Sequence, residues 1–394
     1  MISRRTGVLI AGALVNFCLG IFYAWSVFAD GLIKELGWTK SVATLPYTFE
    51  LLTYAVAMIV GGQFQDRYGP RKGVMISGVL AGLSLILCGL IGNPTGVALS
   101  FGLVFGTASA FGYSSVTPAV IRWFPLEKRG IVTGIVLMSL GSSALIWSPL
   151  VNFLINRVGV INAFLVCGVL LFLVVNLAAR VIDVPEGEKE YSKKAARNAE
   201  AGKGEWRLIL GRNEFWLIWL LIGLSSGVGI MFIGQLVQIA ELNFQVEWGY
   251  ILVSIFAATN AAGRLTGGVF CDRLGYILNL KLSLIMMFTA MLLFLSGLGH
   301  AALIIATIFL GFSYGSQFTS YPLIVSKLFG LDHFGLIYGM AFTSLGLVGG
   351  IGPLIAAYLA QLTDSYFPTF LIGLSASIVC FYLLSKLRHK NSKV

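Results

Sequence analysis

The stretch Gly62-Gln63-Phe64-Gln65-Asp66-Arg67-Tyr68-Gly69 returns 206 residues later as Gly268-Val269-Phe270-Cys271-Asp272-Arg273-Leu274-Gly275. In the first copy it runs on through Pro70, Arg71 and Lys72. A second pair lies at an offset of 205: Leu126-Glu127-Lys128-Arg129-Gly130 matches Leu331-Asp332-His333-Phe334-Gly335, and Ser139-Leu140-Gly141 matches Ser344-Leu345-Gly346. Unrelated positions whose offsets agree to within one residue mark a duplicated chain, and a duplication of membrane helices places a substrate site between the halves near the bilayer midplane.

Around these elements the chain is apolar. Of 394 residues, 57% are hydrophobic and 11% charged, with a mean hydropathy of +0.87. That balance excludes a water-soluble enzyme and points to lipid as the solvent. Runs of the ~20 residues needed to cross the hydrocarbon core are predicted at about 8–28, 44–63, 73–91, 97–121, 131–155, 160–179, 215–240, 249–270, 280–298, 301–326, 336–360 and 367–384. The expected fold is an all-α membrane protein with twelve transmembrane helices in two pseudo-symmetric six-helix bundles. The first bundle is 1–179 and the second, with a tail, 213–394. Between them 180–212 mixes eight basic with six acidic residues and reads as a cytoplasmic linker. Arg4 and Arg5 precede the first run as in a secretory leader, but no small-residue cleavage site follows, so that span is expected to be retained.

The net charge of +10 has no soluble basic face to carry it, so topology rather than nucleic acid accounts for it. With the amino terminus inside, 23 of the 27 basic residues fall on the inner side and Lys34, Lys40 and Arg157 on the outer. This bias predicts a multi-pass protein of the cell membrane with both termini cytoplasmic. The five cysteines are scattered without CxxC or a nearby His, so no metal site, disulfide framework or cofactor is expected. Small-xxx-small glycine pairs such as Gly263/Gly267 suit close helix packing. Gly349-Gly350-Ile351-Gly352-Pro353 lacks the strand-turn-helix setting of a nucleotide loop, which disfavours ATP-driven transport.

Away from the span ends two residues carry formal charge, Glu50 and Arg264. Arg264 precedes Asp272 by eight residues, about 12 Å along a helix, too far to snorkel easily. Holding a guanidinium at that depth costs ~2.5–3.5 kcal/mol on insertion scales. It cannot shed its proton, and its planar fork matches a carboxylate, so an anionic substrate is the expected partner. Helix carbonyls or Glu50 would be the structural alternative. Asn260, one turn earlier, is placed to orient the guanidinium, to touch substrate or simply to pack. Tyr113 and Tyr314 bring phenols to the middle of spans expected to break at Pro118 and Pro322 and are read as pocket walls. Trp38, Tyr47 and Trp248 are read as interface anchors.

The GxxxDRxG element at Gly62, Asp66, Arg67 and Gly69, with Arg71, and its copy at Gly268, Asp272 and Arg273, resembles that of major facilitator superfamily transporters, over the whole chain. The resemblance implies that these residues gate the inner side. Each aspartate is expected to meet the positive end of a neighbouring helix. Gly20-Ile21-Phe22-Tyr23-Ala24-Trp25-Ser26-Val27-Phe28 resembles the oxalate/formate antiporter family, and Asn260-Ala261-Ala262-Gly263-Arg264-Leu265 the monocarboxylate transporters. This implies a lactate- or pyruvate-like substrate with Arg264 on its carboxylate. Three departures limit the carry-over. Animal-type monocarboxylate transporters commonly have aspartate where Asn260 stands, the first span lacks their lysine, and span eleven lacks the lysine of oxalate exchangers. One fixed positive charge suits a monoanion better than oxalate.

A monoanion entering an inside-negative cell climbs ~2.3 kcal/mol per 100 mV. Proton symport removes that net charge, and so does exchange for another anion. Glu50 is the candidate proton carrier within the spans, or else a hydrogen-bonded or solvated residue of the outer vestibule. The expected function is proton-coupled symport of small monocarboxylates by a functional monomer through alternating access. Anion exchange is the alternative within the class, and a membrane metabolite sensor the alternative outside it.

Overall fold

A computed structural model describes residues 4–185, 209–246, 248–330 and 334–391. Most of the linker, together with Asp332 and His333 of the second repeat, lies outside the described residues. Within them the regular structure is helical, with no strand, because a bilayer supplies no water to unpaired backbone groups and each helix must satisfy its own.

Twelve long helices can be traced among the described residues. Helix α1 covers 4–36, interrupted by a 3-10 turn at Gly20–Ala24; α2 is Lys40–Tyr68, α3 Pro70–Ile91 and α4 Pro94–Ile121. Helix α5 starts at Arg129 and α6 ends at Ala179, the two divided at Gly159, whose φ of 82° no other residue type adopts readily. The second half supplies α7 (Asn213–Phe244), α8 (Gly249–Leu274), α9 (Tyr276–Ser296), α10 (His300–Phe329), α11 (Phe334–Thr363) and α12 (Phe367–Asn391). Ten stretches among the described residues are long and apolar enough to cross a bilayer. One of these, Leu126–Ala179, holds both α5 and α6, and α8 falls outside the ten because Asn260 and Arg264 lower its mean hydropathy.

The prolines correct one expectation. Helices α4 and α10 continue through Pro118 and Pro322 rather than breaking there. In a bundle, neighbouring helices and hydroxyl side chains re-satisfy the carbonyl that proline leaves open. The irregular turns lie elsewhere, in π-helical segments at Ala98–Phe105 of α4 and Leu345–Gly349 of α11 and in the 3-10 turn of α1. That last turn is stapled by α5, whose Ser143 Oγ donates to the Gly20 carbonyl (2.9 Å) and whose Trp147 Nε1 donates to the Phe17 carbonyl (2.9 Å). Trp38, expected at an interface, is buried.

The chain forms two compact units that do not follow the halves of the sequence. One comprises Met1–Leu126, Ile135–Ala201 and Leu328–Met340; the other comprises Glu127–Gly134, Gly202–Lys327 and Ala341–Val394. Within the first unit α3 and α6 touch backbone to backbone: a Cβ on Gly82 would lie 2.9 Å from the Gly168 carbonyl oxygen, and one on Gly168 2.8 Å from that of Gly82. Lipid exerts no hydrophobic drive between helices, so this close approach is what packs them. All five cysteines are buried.

A further pair of caps extends the repeat. Glu35, at the end of α1, accepts from Val160 N at the start of α6 (2.8 Å). Asn243, at the end of α7, accepts through Oδ1 from Tyr366 N before α12 (3.0 Å) and donates to Ser365 Oγ (2.9 Å). The offsets, 208 and 206, lie within three residues of those of the motifs. Each side chain ties the first helix of its half to the last.

Candidate gating and substrate sites

The motif residues resolve into three mechanical parts. Gly62 is where α2 meets the start of α11, since a Cβ there would run into the Gly335 carbonyl. One turn on, Asp66 accepts from the leading N–H groups of α11, Gly335 N at 3.1 Å and Leu336 N at 2.8 Å. Gln65 Nε2 donates to the same carboxylate (2.8 Å). Gly69 then makes the left-handed turn into α3, with φ 87°.

The second unit repeats this arrangement. Gly268 faces the Gly130 carbonyl, Asp272 accepts from Gly130 N (2.7 Å) and Ile131 N (2.8 Å) of α5, and Gly275 turns with φ 85°. Each carboxylate sits at the positive end of a helix dipole. Arg67 stacks beside the Tyr68 ring, 5.3 Å from its centroid, and Arg67, Arg71 and Arg273 are exposed. These contacts explain why Glu127–Gly134 and Leu328–Met340 group with helices from the other half of the sequence.

In the second unit Arg264 is only 1% exposed. Its Nε donates to Asn260 Oδ1 across 3.1 Å, and the guanidinium lies over the Phe318 ring, 4.8 Å from the centroid. The backbone of α8 is fixed on both sides, because Gly134 abuts the Arg264 carbonyl and Gly315 of α10 abuts that of Asn260. Tyr314 meets Phe318 edge-on at 5.0 Å and lies 6.0 Å from Phe256. Arg264 and Tyr314 thus meet the same ring, Phe318, with Asn260 joined through Arg264, and no sequence signal revealed the place of that ring.

Beneath that ring α10 carries a buried polar chain that the sequence reading missed. Tyr321 OH bonds to Ser225 Oγ of α7 and donates to Gln317 Oε1 (3.0 Å); Gln317 Nε2 donates to Ser313 Oγ (2.8 Å). The only hint was the polar run Ser313-Tyr314-Gly315-Ser316-Gln317 inside an apolar span.

The first unit holds Tyr113 and Glu50. Tyr338 OH donates to Tyr113 OH (3.3 Å) with the rings stacked 6.1 Å apart, and Tyr54 meets Tyr113 edge-on at 6.1 Å. Glu50 is 2% exposed. Ser109 of α4 lies beside its carboxyl group.

Helices that cross a membrane, a duplicated capping motif and a buried, oriented cation describe a membrane transporter rather than an enzyme. The Major Facilitator Superfamily profile matches residues 9–353, and the chain belongs to that family. It is 23% identical over 388 residues to the oxalate:formate antiporter of Oxalobacter formigenes, covering 97% of this chain and 90% of the relative. It is 24% identical to monocarboxylate transporter 13 of Bos taurus, covering 93% and 83%. The fold matches the crystal structure of the transporter FucP with a TM-score of 0.77 at 14% identity, over 96% of this chain and 98% of that one.

Proposed function

We propose that the protein is a secondary active carrier of small monocarboxylates of the lactate and pyruvate type, moved together with a proton by alternating access. The observation that carries this reading is Arg264, a permanent cation almost wholly buried in α8 and oriented by Asn260 and Phe318. An oriented guanidinium is suited to a carboxylate because its planar fork is pre-organised and little side-chain entropy remains to be lost on pairing. Tyr314 and Tyr113 would supply hydroxyl donors. The names of the relatives, an oxalate:formate antiporter and a monocarboxylate transporter, support the same substrate class.

Alternating access would use the two aspartate caps as latches, released and remade as six-helix bundles at 1–179 and 213–394 rock about the site, with 180–212 as their tether. The distribution of basic residues supports a cell-membrane protein with cytoplasmic termini, and a monomer contains all the named residues. Exchange of one acid anion for another is the second reading, favoured by similarity to an antiporter.

Purified protein in proteoliposomes tests both. Uptake of labelled lactate or pyruvate that rises with an acid-outside pH step supports symport. Uptake indifferent to pH but stimulated by a trapped counter-anion replaces it with exchange, and an absence of flux for every monocarboxylate in a panel rejects the substrate class.

A further inference from the structure

We propose that Glu50 and Ser109 form the proton-binding site of the carrier, a reading that rests on the monocarboxylate symport proposed above. The two residues face each other across a close approach of α2 and α4. A Cβ on Gly106 would lie 2.8 Å from the Glu50 carbonyl oxygen and 3.3 Å from its Cα, and Gly102 abuts the Phe49 side chain. Only glycine at those positions lets α4 come near enough for Ser109 to stand beside the acid. Gly106 also follows directly on the π-helical segment Ala98–Phe105, a type of turn often found at functional sites.

Glu50 Oε2 and Ser109 Oγ are both buried, and among the described residues neither completes a hydrogen bond. One proton resolves both. A protonated Oε2 donates to Ser109 Oγ, whereas an ionised carboxylate would hold its negative charge away from water. The step changes one O–H bond and nothing else: the carboxylate takes a proton from water on one side and returns it to water on the other.

The groups facing this site are known from each packed helix. Tyr47 lies near Glu50 on α2, with Tyr23 of α1 beyond it, and α4 presents Ser109. One turn along, Tyr54 and Tyr113 form the next rung of the same pairing, at Glu50 plus four and Ser109 plus four, and Tyr338 of α11 donates to Tyr113. The Glu50 and Ser109 pair is therefore one helical turn, ~6 Å of rise, from the rung of Tyr54 and Tyr113, and Tyr113 is already read as part of the substrate pocket. That spacing gives a physical route by which the charge on Glu50 can influence the hydrogen bonding offered to a carboxylate.

The test compares wild type with Glu50→Gln, whose amide imitates the protonated acid and cannot titrate, in full-length protein reconstituted into proteoliposomes. A step of one pH unit, about 1.4 kcal/mol, drives a one-to-one symporter to about tenfold accumulation. Wild type is expected to approach that ratio with labelled lactate above protein-free liposomes. Glu50→Gln should lose the accumulation while still exchanging labelled for unlabelled lactate. Accumulation by Glu50→Gln equal to wild type overturns the proposal. A second readout needs no substrate: infrared difference spectra of purified wild type against Glu50→Gln should show a protonated-carboxyl band that disappears at high pH. Absence of that band also overturns the assignment. Presence of the band without any monocarboxylate flux by wild type would reject the substrate reading and leave the proton site standing.

Discussion

Asp66 and Asp272 stand 206 positions apart and make the same pair of hydrogen bonds, each carboxylate closing on the two leading N–H groups of a helix at 2.7–3.1 Å. The equivalence extends to what they hold, since Gly335 and Leu336 occupy the places of Gly130 and Ile131 at the offset of 205. A motif otherwise recognised only as a string of letters thus has a separate task for three of its four fixed letters: the first glycine permits contact, the acid caps, and the last glycine turns the chain.

Removing either cap should weaken its helix start. Asp66→Ala and Asp272→Ala are each expected to lower stability by about 1 kcal/mol, with the asparagine variants closer to wild type because Asn also caps well. Thermal unfolding in detergent measures this, and alanine variants as stable as wild type would show that the caps bear no load.

Arg264→Lys keeps the charge but loses the planar fork, the Nε bond to Asn260 and the face that covers Phe318. Transport of lactate or pyruvate should fall by about two orders of magnitude, corresponding to roughly 3 kcal/mol for a lost charge-paired contact. Rates near wild type would place the carboxylate on another residue.

Much of this molecule could be read from its letters, for definable reasons. The crossings and the aspartate caps were legible because charge is rare in the chain and the caps recur at one offset. Arg264 and Asn260 were legible as a helical pair four residues apart. Phe318 was not, because one aromatic among the chain's 28 phenylalanines carries no mark of what it faces. The π-helical turns were equally hidden: Ala98–Phe105 reads as an ordinary membrane-helix segment, apolar apart from Ser100 and Gly102, and nothing in its composition marks where the register slips. Pro118 and Pro322 misled in the opposite sense, because a residue that ends helices in water is tolerated where neighbouring helices take over its missing bond.

Asn260→Asp would place an acid against Arg264 Nε, where the amide oxygen now accepts at 3.1 Å. An internal ion pair would then compete with substrate, so the apparent affinity for lactate at neutral pH should weaken by about tenfold or more, equivalent to ~1.4 kcal/mol. Acidification that neutralises the new carboxyl should restore part of it. Initial-rate measurements over a series of lactate concentrations at two pH values decide, and an unchanged KM would separate Asn260 from the site.

Gly315→Ala tests how firmly α8 is fixed. The added methyl would meet the Asn260 carbonyl, backbone that cannot turn aside, and overpacking of this kind costs roughly 1–3 kcal/mol. Gly350→Ala is the matched control, since a Cβ there meets nothing within 4 Å. Loss of both stability and transport is expected in the first variant and neither in the second; equal behaviour would dissociate the α8 and α10 contact from function.

The ties at Glu35 and Asn243 perform one job with two chemistries, an acid in the first half and an amide in the second. A carboxylate's hold on a helix end is partly electrostatic, and at an exposed position mobile ions weaken it over a Debye length of about 8 Å at physiological ionic strength. The amide has no net charge for those ions to shield. Brine should therefore slacken the grip on α6 and leave the one on α12 as it was, so a chain built twice from one plan answers its surroundings differently in each half.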